Sequence, residues 1–289
     1  IPTFVKDPEA TTAIGITEQN AGSDHQGYYD HPDIELRTSA VLEGNQYVLN
    51  GTKRYISNGS MAKLYFIVAR TDMSKNLFDG GALFLVPHDT AGFRADKFHE
   101  KSSQRLATNG VIHMENCRIP EENILIGRGK LGQLRSRYMP GSKAEAAATA
   151  LGVGRAAYEY AFDYAKQRKQ GGKKIIELQP IAIMLSQIAM KLDAARLQIW
   201  KAAWLADNKH PNAPVHGLLA KVNASETAFE ACRVASEVLG GASIMHEHPV
   251  EKYLRDATSF LHSDGTNQVC LLRASKAMST DNYEQIFGF

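Results

Sequence analysis

LRTSAVLEGNQYVLNGTKRYIS, residues 36–57, alternates apolar and polar residues on both sides of a Glu43–Gly44–Asn45 segment. Alternation with period two places successive side chains on opposite faces of a strand, and a Gly-Asn pair between two such runs is a hairpin turn in residue type. Asn50–Gly51, further along, has the same residue type and predicts a second turn. Outward from this stretch, TTAIGIT (11–17), KLYFIVART (63–71), GALFLVPHDTAGFRA (81–95) and GVIHMENCRIP (110–120) are further short β-rich runs bounded by turn formers. The first half, residues 1–127, therefore reads as an antiparallel β-barrel or sandwich.

Around Ile124 the apolar period lengthens to the helical value of about 3.6. The expected helices are 143–168, 178–207, 214–239, 249–260 and 266–279, separated by the breakers QGGKK, NKHPNAP and GGAS. In the second of these, Ile181, Leu185, Ile188, Leu192 and Leu197 form the stripe expected to face a core. Residues 128–289 thus form an up-down bundle of the four-helix type, and the fold class is α+β with the two kinds of structure segregated. An isolated bundle with apolar stripes on several helices cannot bury them all, which predicts a homo-oligomer, dimer or tetramer, through residues 143–279.

Composition excludes several classes. Thirty-three basic residues against 31 acidic ones leave a charge of +2, which argues against nucleic acid as partner. Three scattered cysteines provide neither a disulfide framework nor a metal site, and fit a reducing compartment, the cytoplasm or a mitochondrial matrix. No apolar run is long enough for a membrane span, and the first residues do not have the pattern of a signal peptide. His246 and His248 are two apart, the wrong spacing for ligands on one helical face, so no metal is expected.

Three stretches have residues suited to chemistry. ITEQNAGSD (16–24) follows a strand and combines Thr17, Ser23 and backbone donors in a tight turn that suits a planar ring edge or a phosphate. NGTKRYISNG (50–59) places the aromatic Tyr55 and the hydroxyl of Ser57 on the same side of a strand. SFLHSDGTNQVCLL (259–272) puts a single carboxylate, Asp264, before a glycine that permits a tight turn or close ligand approach. Asp264 is either a helix N-cap or a catalytic group, since Asp and Thr both cap helices.

In chain order these pieces resemble the acyl-CoA dehydrogenases. TEQNAGSD and KRYISNG are similar to that family's loop and strand in its middle β-domain. RKQGGKK (168–174), LGGAS (239–243), PVEKYLRD (249–256) and SDGTNQV (263–269) are similar to motifs of its C-terminal bundle. The resemblance spans about residues 13–275 and implies FAD as cofactor, with α,β-desaturation of a CoA thioester and an electron-transfer flavoprotein as electron acceptor. It implies Thr17, Tyr55 and Ser57 at the flavin ring, Ser23 near the phosphates of FAD or CoA, and Thr266 and Gln268 completing the flavin site. Arg168, Gln179, Gly240 and Gly241 would meet the FAD of a neighbouring subunit, and Lys143 and Gly265 would lie on the substrate side with Ser23.

The same resemblance makes Asp264 the base that removes the α-proton, in a place where most members have glutamate. Aspartate there is similar to relatives acting on alicyclic acyl-CoAs. Gly171 stands where the family usually has phenylalanine, which implies weaker FAD binding. The family's N-terminal helical domain, one wall of the acyl pocket, has no counterpart in this chain. These departures keep two further readings open: a flavin-dependent monooxygenase of the same fold, and a non-catalytic FAD-binding or assembly protein.

Overall fold

The computed structural model of the protein describes residues 2–26, 31–96 and 98–279. The chain divides into two compact units, residues 1–101 with 105–137 and residues 102–104 with 138–289. The division falls at 137/138, beyond the 127/128 expected from the change of period.

After a short helix α1 (Pro2–Val5), the first unit is one eight-stranded sheet. Its strands are β1 (Thr12–Gly15), β2 (Ser39–Glu43), β3 (Gln46–Ser57), β4 (Leu64–Arg70), β5 (Gly81–Pro87), β6 (Phe93–Asp96), β7 (Asn109–Pro120) and β8 (Ile124–Ile126). A four-residue helix α2 (Leu77–Gly80) precedes β5. The strand order is β6-β7-β3-β2-β4-β5-β8, with β1 paired to β4. The sheet is mixed, not purely antiparallel as expected, because β1 runs parallel to β4 and one β2–β4 bridge is also parallel. The long segment between β1 and β4 supplies the crossover that a parallel pair requires. One face buries Leu49, Ile67, Phe84, Ile112 and Ile119 in a single core.

The Gly44–Asn45 turn joins β2 to β3 as expected, but Asn50–Gly51 is not a turn and lies inside β3. Two contacts explain the continuity. The side chain of Asn50 accepts the N–H of Asn116 at 2.8 Å, where β7 carries an extra residue opposite β3. Gly51, at φ +149°, passes so close to Thr38 that an added Cβ would lie 2.5 Å from its Oγ1. The glycine here serves close approach within the sheet.

The second unit contains α3 (Leu131–Gln167, which starts in the first unit), a two-stranded ribbon of β9 (Lys169–Gln170) and β10 (Lys173–Lys174), α4 (Gln179–Asp207), α5 (Ala213–Leu239), α6 (Val250–Phe260) and α7 (Asn267–Met278). α3 starts twelve residues before the expected 143, since its backbone stays helical across Pro140 and Gly141. Leu131 anchors its first turn in the β unit against Leu77 and Leu83. α5 is the central helix, packed on α4, α6 and α7. In α4, Leu185, Ile188 and Leu192 are buried as expected, and the stripe continues through Ala195, Ile199 and Ala202. Leu197 departs from it and faces outward with Ile183, Met190, Trp200 and Trp204. Among the described residues no helix is long and apolar enough to cross a membrane.

Candidate active site

In the β unit, Thr17, Tyr55 and Ser57 are fixed by the backbone around them. The carbonyl of Thr17 accepts the N–H of Arg54 at 3.0 Å, tying the 16–24 loop to β3. Beneath it, Lys53 is fully buried and donates to the carbonyl of Ile16 at 3.0 Å and to Glu18 at 2.8 Å. Glu18 also accepts the N–H groups of Arg37 (2.7 Å) and Thr38 (3.0 Å). Burial opposes the charge on Glu18, but the Lys53 ammonium and these donors prevail and hold its carboxyl below its ordinary 4.5. Both neighbours of Thr17 are thus gripped by one lysine.

Tyr55 and Ser57 share the exposed side of β3, with Ile56 turned into the core between them. Tyr55 has φ +62°, and β3 carries an extra residue there relative to β7. A left-handed backbone is an outlier for an aromatic residue, and such outliers concentrate at functional sites. Its ring lies 4.9 Å from that of His99 and 5.0 Å from the guanidinium of Arg54, half of it remaining open. Asn109 donates to the carbonyl of Tyr55 at 2.8 Å and to Ser57 Oγ at 3.4 Å. Ser57 Oγ accepts from Asn109, which leaves its own O–H able to donate elsewhere. Ser23 is half-buried at the start of a short 3₁₀ turn, Ser23–Gln26. An open aromatic ring beside an exposed hydroxyl fits a planar, hydrogen-bonding cofactor ring.

In the helical unit, Thr266 is the N-cap of α7, its hydroxyl accepting the N–H of Val269 at 3.3 Å. Capping therefore belongs to Thr266, and the cap alternative for Asp264 falls away. Asp264 sits two residues earlier at φ +55° with its side chain exposed, and no group among the described residues hydrogen-bonds its carboxylate. Its backbone carbonyl accepts from Lys143 of α3. Lys143, expected on the substrate side, is only 3% exposed, so its ammonium is turned into the unit. The next carbonyl, Gly265, accepts from Lys221 of α5 at 2.9 Å. Gln268 is exposed on the first turn of α7.

Arg168 and Gln179 bracket the basic ribbon: the carbonyl of Arg168 accepts the N–H of Ile175 at 2.9 Å, and Gln179 opens α4. Gly171 and Gly172 form its turn at φ +58° and +82°. Gly240 and Gly241 follow α5, and the loop after them returns to α3, where Tyr160 Oη and His248 Nδ1 are 2.7 Å apart. The His248 ring also meets Tyr164, one turn before Arg168. Arg168 and the Gly240–Gly241 pair therefore lie at one end of the bundle. At α6, Asp256 accepts from Lys252 and from the N–H of Gln104 (2.5 Å), fastening residues 102–104 to this unit. No metal-binding cluster occurs among the described residues.

Glu18, Lys53, Asn109, Lys221 and Asn267 were not anticipated. Lys53 and Lys221 carried a legible signal, since each interrupts an inward-facing apolar register, where a charge requires buried partners.

Residues 13–117 match the family model for the acyl-CoA dehydrogenase middle domain, and residues 136–279 the model for the C-terminal domain. Cyclohex-1-ene-1-carbonyl-CoA dehydrogenase of Syntrophus aciditrophicus is 32% identical over 96% of this chain and 65% of its own length. "Probable acyl-CoA dehydrogenase YngJ" of Bacillus subtilis is 35% identical over 90% of this chain and 66% of its own. The solved butyryl-CoA dehydrogenase of Megasphaera elsdenii superposes with a TM-score of 0.86 at 32% identity, covering 93% of this chain and 68% of that one. The chain spans about two thirds of the length of the curated relatives it matches. With the two domain models matching in order, one over the mixed sheet and the other over the helical bundle, the chain belongs to the acyl-CoA dehydrogenase family.

Proposed function

We propose that the protein is an FAD-dependent acyl-CoA dehydrogenase that desaturates a CoA thioester at the α,β-position, with Asp264 as the base. One observation carries this reading: Thr266 caps α7, and among the described residues nothing hydrogen-bonds the exposed carboxylate of Asp264, while both carbonyls of its turn are held by buried lysines. A general base needs this combination of free oxygens and a fixed backbone. FAD supplies the two-electron acceptor for the β-hydride. Thr17, Tyr55 and Ser57 in the β unit present the groups suited to its ring. Arg168, Gln179, Gly240 and Gly241 serve the FAD of a neighbouring subunit, Gly265 lies beside the base on the thioester side, and an electron-transfer flavoprotein takes the electrons.

Alicyclic acyl-CoAs are the favoured substrates, because two relatives are named for cyclohexenecarbonyl-CoA and Asp264 has a shorter arm than glutamate. The test is anaerobic bleaching of the flavin band by a panel of linear, branched and alicyclic acyl-CoAs. Bleaching by cyclohexanecarboxyl-CoA at least about tenfold faster than by butyryl-CoA is expected. No bleaching by any thioester, with rapid oxygen consumption by reduced flavin, would replace this reading with the monooxygenase.

Self-association belongs to the same proposal. Ile183, Met190, Leu197 and Trp204 recur every seventh residue on α4, with Trp200, itself 60% exposed, between the last two. Replacing Leu197 and Trp200 with glutamate removes roughly 1.5–3 kcal/mol of burial per side chain from a contact made by this face. Light scattering is expected to show a smaller species for the double variant with an unchanged unfolding midpoint; an unaltered mass would place the contact elsewhere.

A further inference from the structure

We propose that Lys221, braced by Asn267, is a positioning residue for Asp264; this inference rests on the reading of Asp264 as the base. Asp264 and Gly265 are consecutive left-handed residues, φ +55° and +88°, between α6 and α7. A turn of this shape presents its carbonyls away from either helix ladder, so their partners come from elsewhere. Lys143 of α3 takes the first carbonyl and Lys221 of α5 the second, with the weaker thiol donor of Cys270 at 4.0 and 3.6 Å from the two.

Lys221 is itself held. Its ammonium donates at 2.8 Å to Asn267 Oδ1, which also accepts from Ser225 Oγ at 3.1 Å, one turn further along α5. Asn267 Nδ2 donates to Glu226 at 2.8 Å, so the amide is engaged at both ends. Lys221 is 2% exposed, and among the described residues no carboxylate forms a contact salt bridge with it, although the charges of Asp264 and Glu226 act on it from farther away. Burial lowers its pKa from the ordinary 10.5, as expected of an ammonium taken out of water.

A methionine would fill much the same volume without that desolvation cost. The charge is explained by the carbonyl it holds, not by packing. The consequence is kinetic: the arm of Asp264 is one methylene shorter than that of glutamate, and a misplacement of about 1 Å can cost roughly 10²-fold in rate.

The test is a double-mutant cycle of Lys221→Met and Asp264→Asn in the full chain loaded with FAD. The probes are cyclohexanecarboxyl-CoA and butyryl-CoA, and the readouts are flavin bleaching and exchange of the substrate α-hydrogen with deuterium from solvent. In the parent background Lys221→Met is expected to slow both about 10- to 10²-fold with thioester affinity little changed. In the Asp264→Asn background it is expected to add no further loss of α-hydrogen exchange. Amide exchange across residues 262–267 rises while that of β1–β8 stays constant. Lys221→Gln, which retains one donor, is expected to fall between parent and Lys221→Met, and supplies the cycle should the methionine variant not fold. Equal losses in both backgrounds, or none in the parent, would overturn the inference alone. Full exchange in Asp264→Asn by itself would overturn the base reading and this inference with it.

Discussion

Asp264→Asn is expected to keep FAD and thioester binding while desaturation falls by at least about 10²-fold, the lower end of what a positioned base contributes. Asparagine is nearly isosteric and, like aspartate, tolerates the left-handed backbone found at φ +55°. The lysine bonds to the turn go to backbone carbonyls and do not depend on the side chain. α7 keeps its cap on Thr266, so the helix starts unchanged. What is removed is proton-accepting capacity. Single-turnover bleaching by cyclohexanecarboxyl-CoA, with flavin content and unfolding midpoint measured on the same samples, separates the outcomes. An Asp264→Asn protein that bleaches at the parent rate would show that another group takes the proton.

The period of the apolar residues was enough to read the fold class: strands up to Ile126 give way to helices from Leu131, and α4 to α7 lie within about a residue of their expected bounds. Where the reading erred, a contact distant in sequence decided. Asn50–Gly51 has turn residues, yet the bulge at Asn116 and the close passage of Thr38 go with a continuous β3. Leu197 fits the spacing of the buried stripe loosely, and its place on the outward face follows from where α5 packs. The candidate site was legible as a set of motifs, but not the contacts that hold its groups. Asp264 could be picked out by its glycine, whereas the division of labour with Thr266 depends on which residue caps α7. The lysines that hold the turn come from α3 and α5, far away in sequence, and Lys143 was expected to contact substrate.

Lys53→Met is expected to destabilise the β unit by about 3–5 kcal/mol, the usual effect of removing one partner from a buried ion pair. The ammonium of Lys53 is fully enclosed and Glu18 nearly so, and after substitution the donors left to the carboxylate among the described residues are those of Arg37 and Thr38. The loss also frees the carbonyl of Ile16, so Thr17 loses its support on both sides and FAD affinity is expected to fall. The pH dependence gives the sharper check. In the parent, the carboxyl of Glu18 lies below its unfolded value of 4.5, so its stabilisation is present above that pH and is lost as pH falls through the folded value. Without the ammonium, burial, the largest single influence on this carboxyl, is opposed only by the hydrogen bonds from Arg37 and Thr38 and is expected to push it up, so the variant is expected to lose stability as pH rises through the ordinary carboxylate range. Chemical unfolding followed by circular dichroism is expected to give a deficit that is greatest near neutral pH and shrinks on acidification. Combining Lys53→Met with Glu18→Gln removes the stranded charge and is expected to recover most of the deficit, because a buried pair is much costlier to break than to replace. A deficit independent of pH, and not relieved by Glu18→Gln, would trace the loss to packing around the lysine stem and not to the carboxylate it leaves behind.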